Sequence, residues 1–122
     1  MALNGKRREL LLKSIILPTS DGNRTVLANH MDIVIEVVPG DAKLRFEKEV
    51  VSYFVSNGVF NFTKGEGMLF VDAFESEDEI NFERAHKAYE NASDILSDST
   101  DYFEIKKAEQ ALKRALGRLR LE

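Results

Sequence analysis

The fold is decided by residues 76–121, which read SEDEINFERAHKAYENASDILSDSTDYFEIKKAEQALKRALGRLRL. Apolar residues recur in this stretch at spacings of three and four, which is the period of an amphipathic helix. The first apolar stripe consists of Ala85, Ala88, Ala92 and Ile95. The second consists of Ile105, Ala108, Leu112, Ala115 and Leu119. Only the polar residues 97–100 separate the two stripes, and so short a break predicts an antiparallel two-helix hairpin.

Both predicted helices carry start signals. Ser76 and Glu79 have the spacing of a capping box, in which each side chain satisfies a backbone N–H of the first turn. Asp101 and Glu104 repeat that spacing before the second stripe. We therefore predict that the first helix starts at Ser76. The first helix is acidic and the second is basic and rich in arginine.

The residues before Ser76 change to short apolar runs separated by turn signals. The predicted strands are residues 10–17, 25–27, 33–38, 42–46, 50–55, 59–62 and 68–74. Short strands at such intervals, with no helix between them, predict an antiparallel sandwich or barrel. The chain is thus an α+β protein, with a β-sandwich domain in residues 1–75 and a helical hairpin domain in residues 76–122.

The stripes of the hairpin are rich in alanine, which buries little apolar area per residue. An isolated hairpin of this kind is marginally stable. We expect it to rest on the β-domain or on a partner, and to move between the two.

Composition excludes several classes of function. The net charge of −4 argues against nucleic acid as a partner, because binding phosphates needs a basic surface. Without cysteine there are no disulfides or thiolate metal sites. No apolar run approaches the ~20 residues that span a bilayer, so we predict no direct membrane insertion. The only histidines, His30 and His86, lie on different elements, so we predict neither a metal site nor catalytic residues.

Four segments resemble the epsilon subunit of the bacterial F-type rotary ATP synthase. Residues 51–59 (VSYFVSNGV) are similar to the family's strand–glycine–strand hairpin, and residues 71–75 (VDAFE) follow in the same order. Residues 80–85 (INFERA) resemble the start of the family's first helix, and residues 108–119 (AEQALKRALGRL) its final helix. The resemblance extends from about residue 13 to residue 121.

The resemblance implies a non-catalytic rotor subunit that couples the rotor to proton or sodium transport and inhibits ATP hydrolysis through its C-terminal helices. Its partners would be the gamma subunit, the membrane c-ring and the beta subunits. The complex would lie peripherally on the cytoplasmic face of the bacterial plasma membrane. In the family, the hairpin folds down on the sandwich or extends toward the catalytic head. A stand-alone ATP-sensing binding module is the alternative, and a small enzyme is the least favoured reading.

The same resemblance supplies candidate site residues. No cofactor is required, but ATP is a candidate regulatory ligand. The corresponding ATP-binding positions are Ile80, Asn81, Arg84, Ala85, Arg114 and Arg118, and Glu75 is a further candidate. Asn81 stands where the family usually has Asp, and losing that charge predicts ATP binding that is weaker by about tenfold or more. Candidate partner contacts are Asn23, His30, Lys113, Arg114, Arg118 and Arg120.

The N-terminus departs from the family pattern. The family opens with a further strand before the run at residues 10–17, whereas residues 4–8 are polar and basic here. We therefore expect that first strand to be missing or altered. Its loss would leave a sheet edge open.

Overall fold

The computed structural model describes the backbone of Ala2–Leu3 and Lys6–Arg7 and the whole of residues 9–122. In these residues the strands are β1 (Ala2–Leu3), β2 (Lys6–Arg7), β3 (Ser14–Thr19), β4 (Gly22–Leu27), β5 (Ile33–Val37), β6 (Gly40–Arg45), β7 (Val50–Val55), β8 (Gly58–Thr63), β9 (Glu66–Val71) and β10 (Phe74–Ser76). A 3₁₀ turn (Glu77–Glu79) leads to the helices α1 (Phe82–Asp98) and α2 (Tyr102–Leu119).

The strands form two five-stranded sheets that face each other. The first sheet has the order β2-β1-β9-β8-β5 and the second the order β10-β7-β6-β3-β4. The pairing is antiparallel except between β1 and β9. The predicted fold class, an antiparallel sandwich followed by a helical hairpin, is confirmed.

The core lies between the sheets and takes one side of the strands β3 to β10, as period-two alternation requires. Its largest fully buried members are Leu17, Leu44 and Leu69. Tyr53 and Phe74 stack in this core, with 4.4 Å between their ring centroids. No hairpin residue belongs to this core cluster.

The prediction of one strand over residues 68–74 is wrong. β9 ends at Val71 in the first sheet, and β10 starts at Phe74 in the second sheet. At the crossing, the Asp72 N–H donates to the Asn57 carbonyl and the Ala73 carbonyl accepts from the Ser56 N–H. The apolar run is continuous because both strands need apolar residues, and its pattern gives no sign of the change of sheet.

The prediction of a strand over residues 10–17 is also wrong in its bounds. β3 begins at Ser14 and continues through Pro18, which pairs with Asn23 of β4. The Pro18 carbonyl accepts a hydrogen bond from the Val38 N–H, so the carbonyl and the proline nitrogen both face away from β4. Proline is tolerated there because no hydrogen bond to β4 needs its missing N–H. β4 accordingly starts at Gly22, three residues earlier than predicted.

The first helix starts at Phe82, not at Ser76. The capping box between Ser76 and Glu79 is present but closes only the 3₁₀ turn. Ile80 then adopts an extended conformation, with ψ at 130°, and interrupts the helical path. Asn81 caps α1 by accepting a hydrogen bond of 3.0 Å from the Arg84 backbone N–H.

The sequence expectation of an altered first strand falls partly on residues 4, 5 and 8, which lie outside the described residues. In the described part, Ala2–Leu3 and Lys6–Arg7 form the two-residue strands β1 and β2, and the expectation stays a prediction. β1 pairs with Phe70 and Val71 only, at the end of β9.

The two helices pack against each other through alanine. Ala85 and Ala92 of α1 and Ala108 and Ala115 of α2 are buried in this seam. Asp101 caps α2 by accepting hydrogen bonds from the backbone N–H groups of Phe103 and Glu104. The seam predicted from the sequence is therefore present, and it buries small side chains.

Candidate functional site

The hairpin meets the sandwich near the end of α2, where Gly117 lies on the ring of Phe54. A Cβ atom at Gly117 would stand 2.7 Å from Cε1 of Phe54 and 3.3 Å from the backbone nitrogen of Gly40. Real Cβ atoms do not approach neighbours at 2.7 Å, so only glycine permits this fit. The helix therefore lies almost in contact with the backbone of β6 and with a side chain of β7.

Arg118, the next residue, makes an ion pair with Glu75 of β10. Its Nε donates to Oε1 at 2.9 Å and its Nη2 donates to Oε2 at 3.0 Å. This bidentate geometry is the strong form of an arginine–carboxylate contact. The guanidinium carbon also lies 4.5 Å from the centroid of the Phe54 ring, within cation–π range. The side chains of Arg118 and Glu75 are 29% and 27% exposed, so both are mostly buried.

These five residues, Gly40, Phe54, Glu75, Gly117 and Arg118, form what we call the docking contact. Phe54 is fully buried but is not part of the core between the sheets. It therefore faces the outside of the second sheet and is covered by α2. The docking contact combines a buried aromatic ring with an ion pair, and none of its residues belongs to the core between the sheets.

The candidate ATP residues are brought to one end of the hairpin. Nε2 of His86 on α1 lies 2.9 Å from Oε1 of Glu122, which places the start of α1 beside the end of α2. Ile80 and Ala85 are buried there. Asn81 is exposed, and its side-chain oxygen is used as the α1 cap.

The arginines of the candidate ATP set have different environments. Arg118 is held by Glu75 in the docking contact. Arg84 is exposed and Arg114 is half-buried, and neither side chain makes an ion pair within the described residues. Glu75, the additional candidate, is thus already paired with the side chain of Arg118.

The candidate partner contacts do not form one surface. Asn23 lies exposed on β4, and Nδ1 of His30 is 2.7 Å from the Met31 carbonyl oxygen. Lys113 and Arg120 are exposed at the end of α2. The structure therefore separates Asn23 and His30, on the sandwich, from the basic residues of the hairpin.

Sequence reasoning missed Gly40 and Phe54 of the docking contact and the tip of the hairpin. A glycine inside a helical pattern, such as Gly117, indicates a close approach, but the sequence does not identify Phe54 as its neighbour. At the tip, Tyr102 and Phe103 are 66% and 80% exposed, with ring centroids 5.7 Å apart. They belong to α2 but lie outside its apolar stripe.

The described part of the chain contains no cluster of three or more histidine or acidic side chains arranged to hold a metal ion. Neither α1 nor α2 combines the length and the apolar composition needed to cross a bilayer.

Family models match both parts of the chain. The model described as "ATP synthase, Delta/Epsilon chain, beta-sandwich domain" matches residues 7–77. The model described as "ATP synthase, Delta/Epsilon chain, long alpha-helix domain" matches residues 78–121. Together they cover nearly the entire sequence.

Individual relatives agree with the family models. The chain is 36% identical over 110 residues to the ATP synthase epsilon chain of Clostridium novyi, covering 89% of this chain and 83% of that one. It is 29% identical over 107 residues to the sodium ion specific epsilon chain of Propionigenium modestum, covering 88% and 78%. A chain in the structure of the Euglena gracilis mitochondrial ATP synthase, with its c-ring, superposes with a TM-score of 0.78 at 26% identity, covering 89% and 68%.

Proposed function

This chain belongs to the delta/epsilon chain family of ATP synthases, and we propose that it couples the rotor and regulates hydrolysis through a hairpin that leaves the docking contact. It is a non-catalytic epsilon subunit of the central stalk. Its partners are the gamma subunit, the c-ring and the beta subunits. The alternative of a stand-alone ATP-sensing module has no support, because the relatives are subunits of a rotary complex.

The two parts have different tasks in this proposal. The sandwich, residues 1–75, joins gamma to the c-ring through surfaces that include Asn23 and His30. The hairpin, residues 76–122, extends toward the catalytic head, where Lys113, Arg114, Arg118 and Arg120 meet acidic segments of beta. As part of the ATP synthase the subunit is peripheral to the membrane, and we place it on the cytoplasmic face.

The observation that carries the proposal is the pairing of Arg118 with Glu75 across the docking contact. In the docked state Glu75 neutralises the charge of the Arg118 guanidinium, and the ring of Phe54 covers one face of the guanidinium. In the extended state the same guanidinium becomes free for an acidic partner. Docking and inhibition therefore compete for one side chain, which makes the equilibrium between the two states adjustable.

The test adds the purified chain to the isolated catalytic complex and measures ATP hydrolysis. The native chain is expected to lower the rate. Glu75→Gln removes the charge that retains Arg118, and an ion pair of about 1 kcal/mol shifts the equilibrium about fivefold toward the extended, inhibitory form. Glu77→Gln, on the exposed 3₁₀ turn, is the matched control. An unchanged rate across concentrations that saturate binding contradicts the inhibitory role.

ATP is proposed as a regulatory ligand, with no cofactor required. The support is the position of Asn81, Arg84 and Arg114 at the end of the hairpin that also carries Arg118. Because Arg118 is already paired with Glu75, bound phosphate has to displace this carboxylate or rely on Arg84 and Arg114. Calorimetry with ATP and Mg²⁺ tests this, and binding too weak to measure at millimolar ATP contradicts it.

A further inference from the structure

The hairpin tip, by which we mean residues 94–104, presents two aromatic side chains to solvent. Tyr102 and Phe103 are 66% and 80% exposed, and their ring centroids lie 5.7 Å apart. Phenylalanine is among the residue types that are most often buried, yet neither ring packs in the alanine seam. The ammonium nitrogen of Lys106 lies 5.7 Å from the Tyr102 centroid. Among the described residues, no cation lies over the ring of Phe103.

The hairpin tip is also acidic. Residues 88–105 contain no lysine or arginine, and their carboxylates are those of Glu90, Asp94, Asp98, Asp101 and Glu104. Asp94 and Asp98 lie near the end of α1, where the helix dipole favours a cation, but the last turn of α1 has no basic residue. These two carboxylates therefore oppose the stability of α1, and such a break with a local rule is expected at a functional site.

The carboxylates that flank the two rings are held in place and can still accept hydrogen bonds. Asp101 accepts through Oδ1 from backbone N–H groups of α2, and Glu104 accepts through Oε2 from the Ser99 hydroxyl at 2.8 Å. Within the described residues neither carboxylate makes an ion pair, and neither do those of Asp94 and Asp98. The tip thus carries negative charge that the described part of this chain does not neutralise.

A shallow depression opens among these carboxylates. Its volume is about 310 Å³, and it is lined by Asp94, Ile95, Asp98, Ser99 and Glu104. Ile95 is 41% exposed and supplies the apolar side chain of this lining. An aliphatic side chain among carboxylates fits a partner side chain that has an apolar stem and a cationic end.

The docking contact shows how this chain holds a guanidinium. The guanidinium carbon of Arg118 lies 4.5 Å from the centroid of Phe54, and two of its nitrogens donate to the two carboxylate oxygens of Glu75. The hairpin tip has the same two ingredients, an aromatic ring at Phe103 and neighbouring carboxylates, but it has no arginine. The chemistry of the tip is therefore complementary to an arginine from outside the hairpin.

We propose that the hairpin tip binds an arginine-bearing segment of a second protein, with one guanidinium on the ring of Phe103 and another in the depression beside Ile95. A planar guanidinium stacks on aromatic rings and pairs with both oxygens of a carboxylate, which an ammonium group cannot do. Anionic lipids and nucleic acids do not fit, because the carboxylates repel their phosphates. A second copy of this chain is disfavoured, since two chains of net charge −4 repel each other.

The test uses the full chain and an acetylated, amidated six-residue peptide of alternating arginine and alanine at low ionic strength. NMR is expected to show saturable shifts of the ring resonances of Phe103 and Tyr102, which disappear at high salt. The same peptide with lysine in place of arginine should bind about fivefold more weakly, because it keeps only the charge. The peptide with neutral citrulline should not bind.

Matched variants locate the contact. Phe103→Leu keeps an apolar side chain but removes the ring, and should weaken binding of the arginine peptide by about fivefold. Asp98→Asn should weaken binding by about threefold, although it stabilises α1 by removing a carboxylate from its C-terminal end. Unfolding therefore cannot explain that loss. Glu90→Gln removes the same charge from an exposed position outside the tip and should leave binding unchanged.

Five results would overturn the proposal. They are no ring shifts with the arginine peptide, equal affinity for the lysine peptide, unchanged affinity in F103L, equal losses in D98N and E90Q, and ring shifts caused by phosphatidylglycerol vesicles or by a dimer seen in sedimentation. Because the assay contains no ATP synthase, its result is independent of the coupling and inhibitory roles proposed above.

Discussion

Gly117 is the residue at which helix propensity and packing disagree. Glycine costs about 1 kcal/mol relative to alanine inside a helix, yet any side chain here would collide with Phe54. Glycine at this position therefore weakens the isolated helix but allows α2 to pack on the sandwich.

Gly117→Ala should favour the undocked hairpin for both reasons. The added methyl group pushes α2 off Phe54, and the free helix gains about 1 kcal/mol. The expected result is loss of the ring-contact shifts of Phe54 by NMR, together with stronger inhibition of ATP hydrolysis. Leu116→Ala, at the exposed neighbouring position, is the control. If the hairpin of the G117A variant stayed docked, the contact with Phe54 would not require glycine at position 117.

Asn81→Asp tests the reading of the candidate ATP position. Aspartate retains the cap of α1 and adds a charge that the helix N-terminus favours, so stability should be unchanged or rise by less than about 1 kcal/mol. ATP affinity should rise about tenfold by calorimetry. Asn81→Ala should instead cost about 1 kcal/mol in thermal unfolding. If the native chain and N81D bind ATP with equal affinity, Asn81 is not part of the ATP site.

At the scale of elements, the sequence predicted types better than bounds. The stripes around Ala85 and Ala108 gave both helices, because their period is regular over many residues. For residues 68–74 the sequence predicted one strand, whereas the structure has two, because a crossing between sheets leaves the apolar pattern unbroken. Ser76 and Glu79 gave a capping box correctly, but the pattern does not distinguish a 3₁₀ turn from an α-helix.

The site was less predictable than the elements. The resemblance supplies Arg118 as a candidate ATP residue and Glu75 as a further candidate, but it does not predict that the two pair with each other. Their pairing depends on how α2 lies across the second sheet, which no local pattern encodes. The burial of Phe54 outside the core has the same origin, since β-strand alternation alone predicts an exposed side chain there.

A chain ending at Ser76 should keep the sandwich, because the core between the sheets contains no hairpin residue. Losing α2 exposes Phe54, so binding of an apolar dye should increase. The truncated chain should still bind gamma but no longer inhibit hydrolysis. In the same truncation Phe54→Thr should return dye binding to a low level. Failure of the truncated chain to fold would show that the hairpin is part of the sandwich's stability.

At the scale of the whole molecule, the two parts should open with different free energies. The hairpin is held by an alanine seam and the docking contact, whereas the sandwich has a continuous core that includes Leu17, Leu44 and Leu69. Hydrogen exchange should therefore show the amides of α1 and α2 opening together at lower free energy than those of β3, β6 and β7. Equal opening free energies in both parts would contradict an independently mobile hairpin.

The stacking of Tyr53 on Phe74 makes one tyrosine an optical label for the sandwich, and the other tyrosines label the hairpin. The chain has three tyrosines and no tryptophan, and Tyr53 is enclosed in the sandwich whereas Tyr89 and Tyr102 lie on the hairpin. The near-ultraviolet dichroism of the enclosed ring should report on the sandwich. Quenching of tyrosine emission by acrylamide should report on the other two, so a spectrometer can follow both halves without any dye.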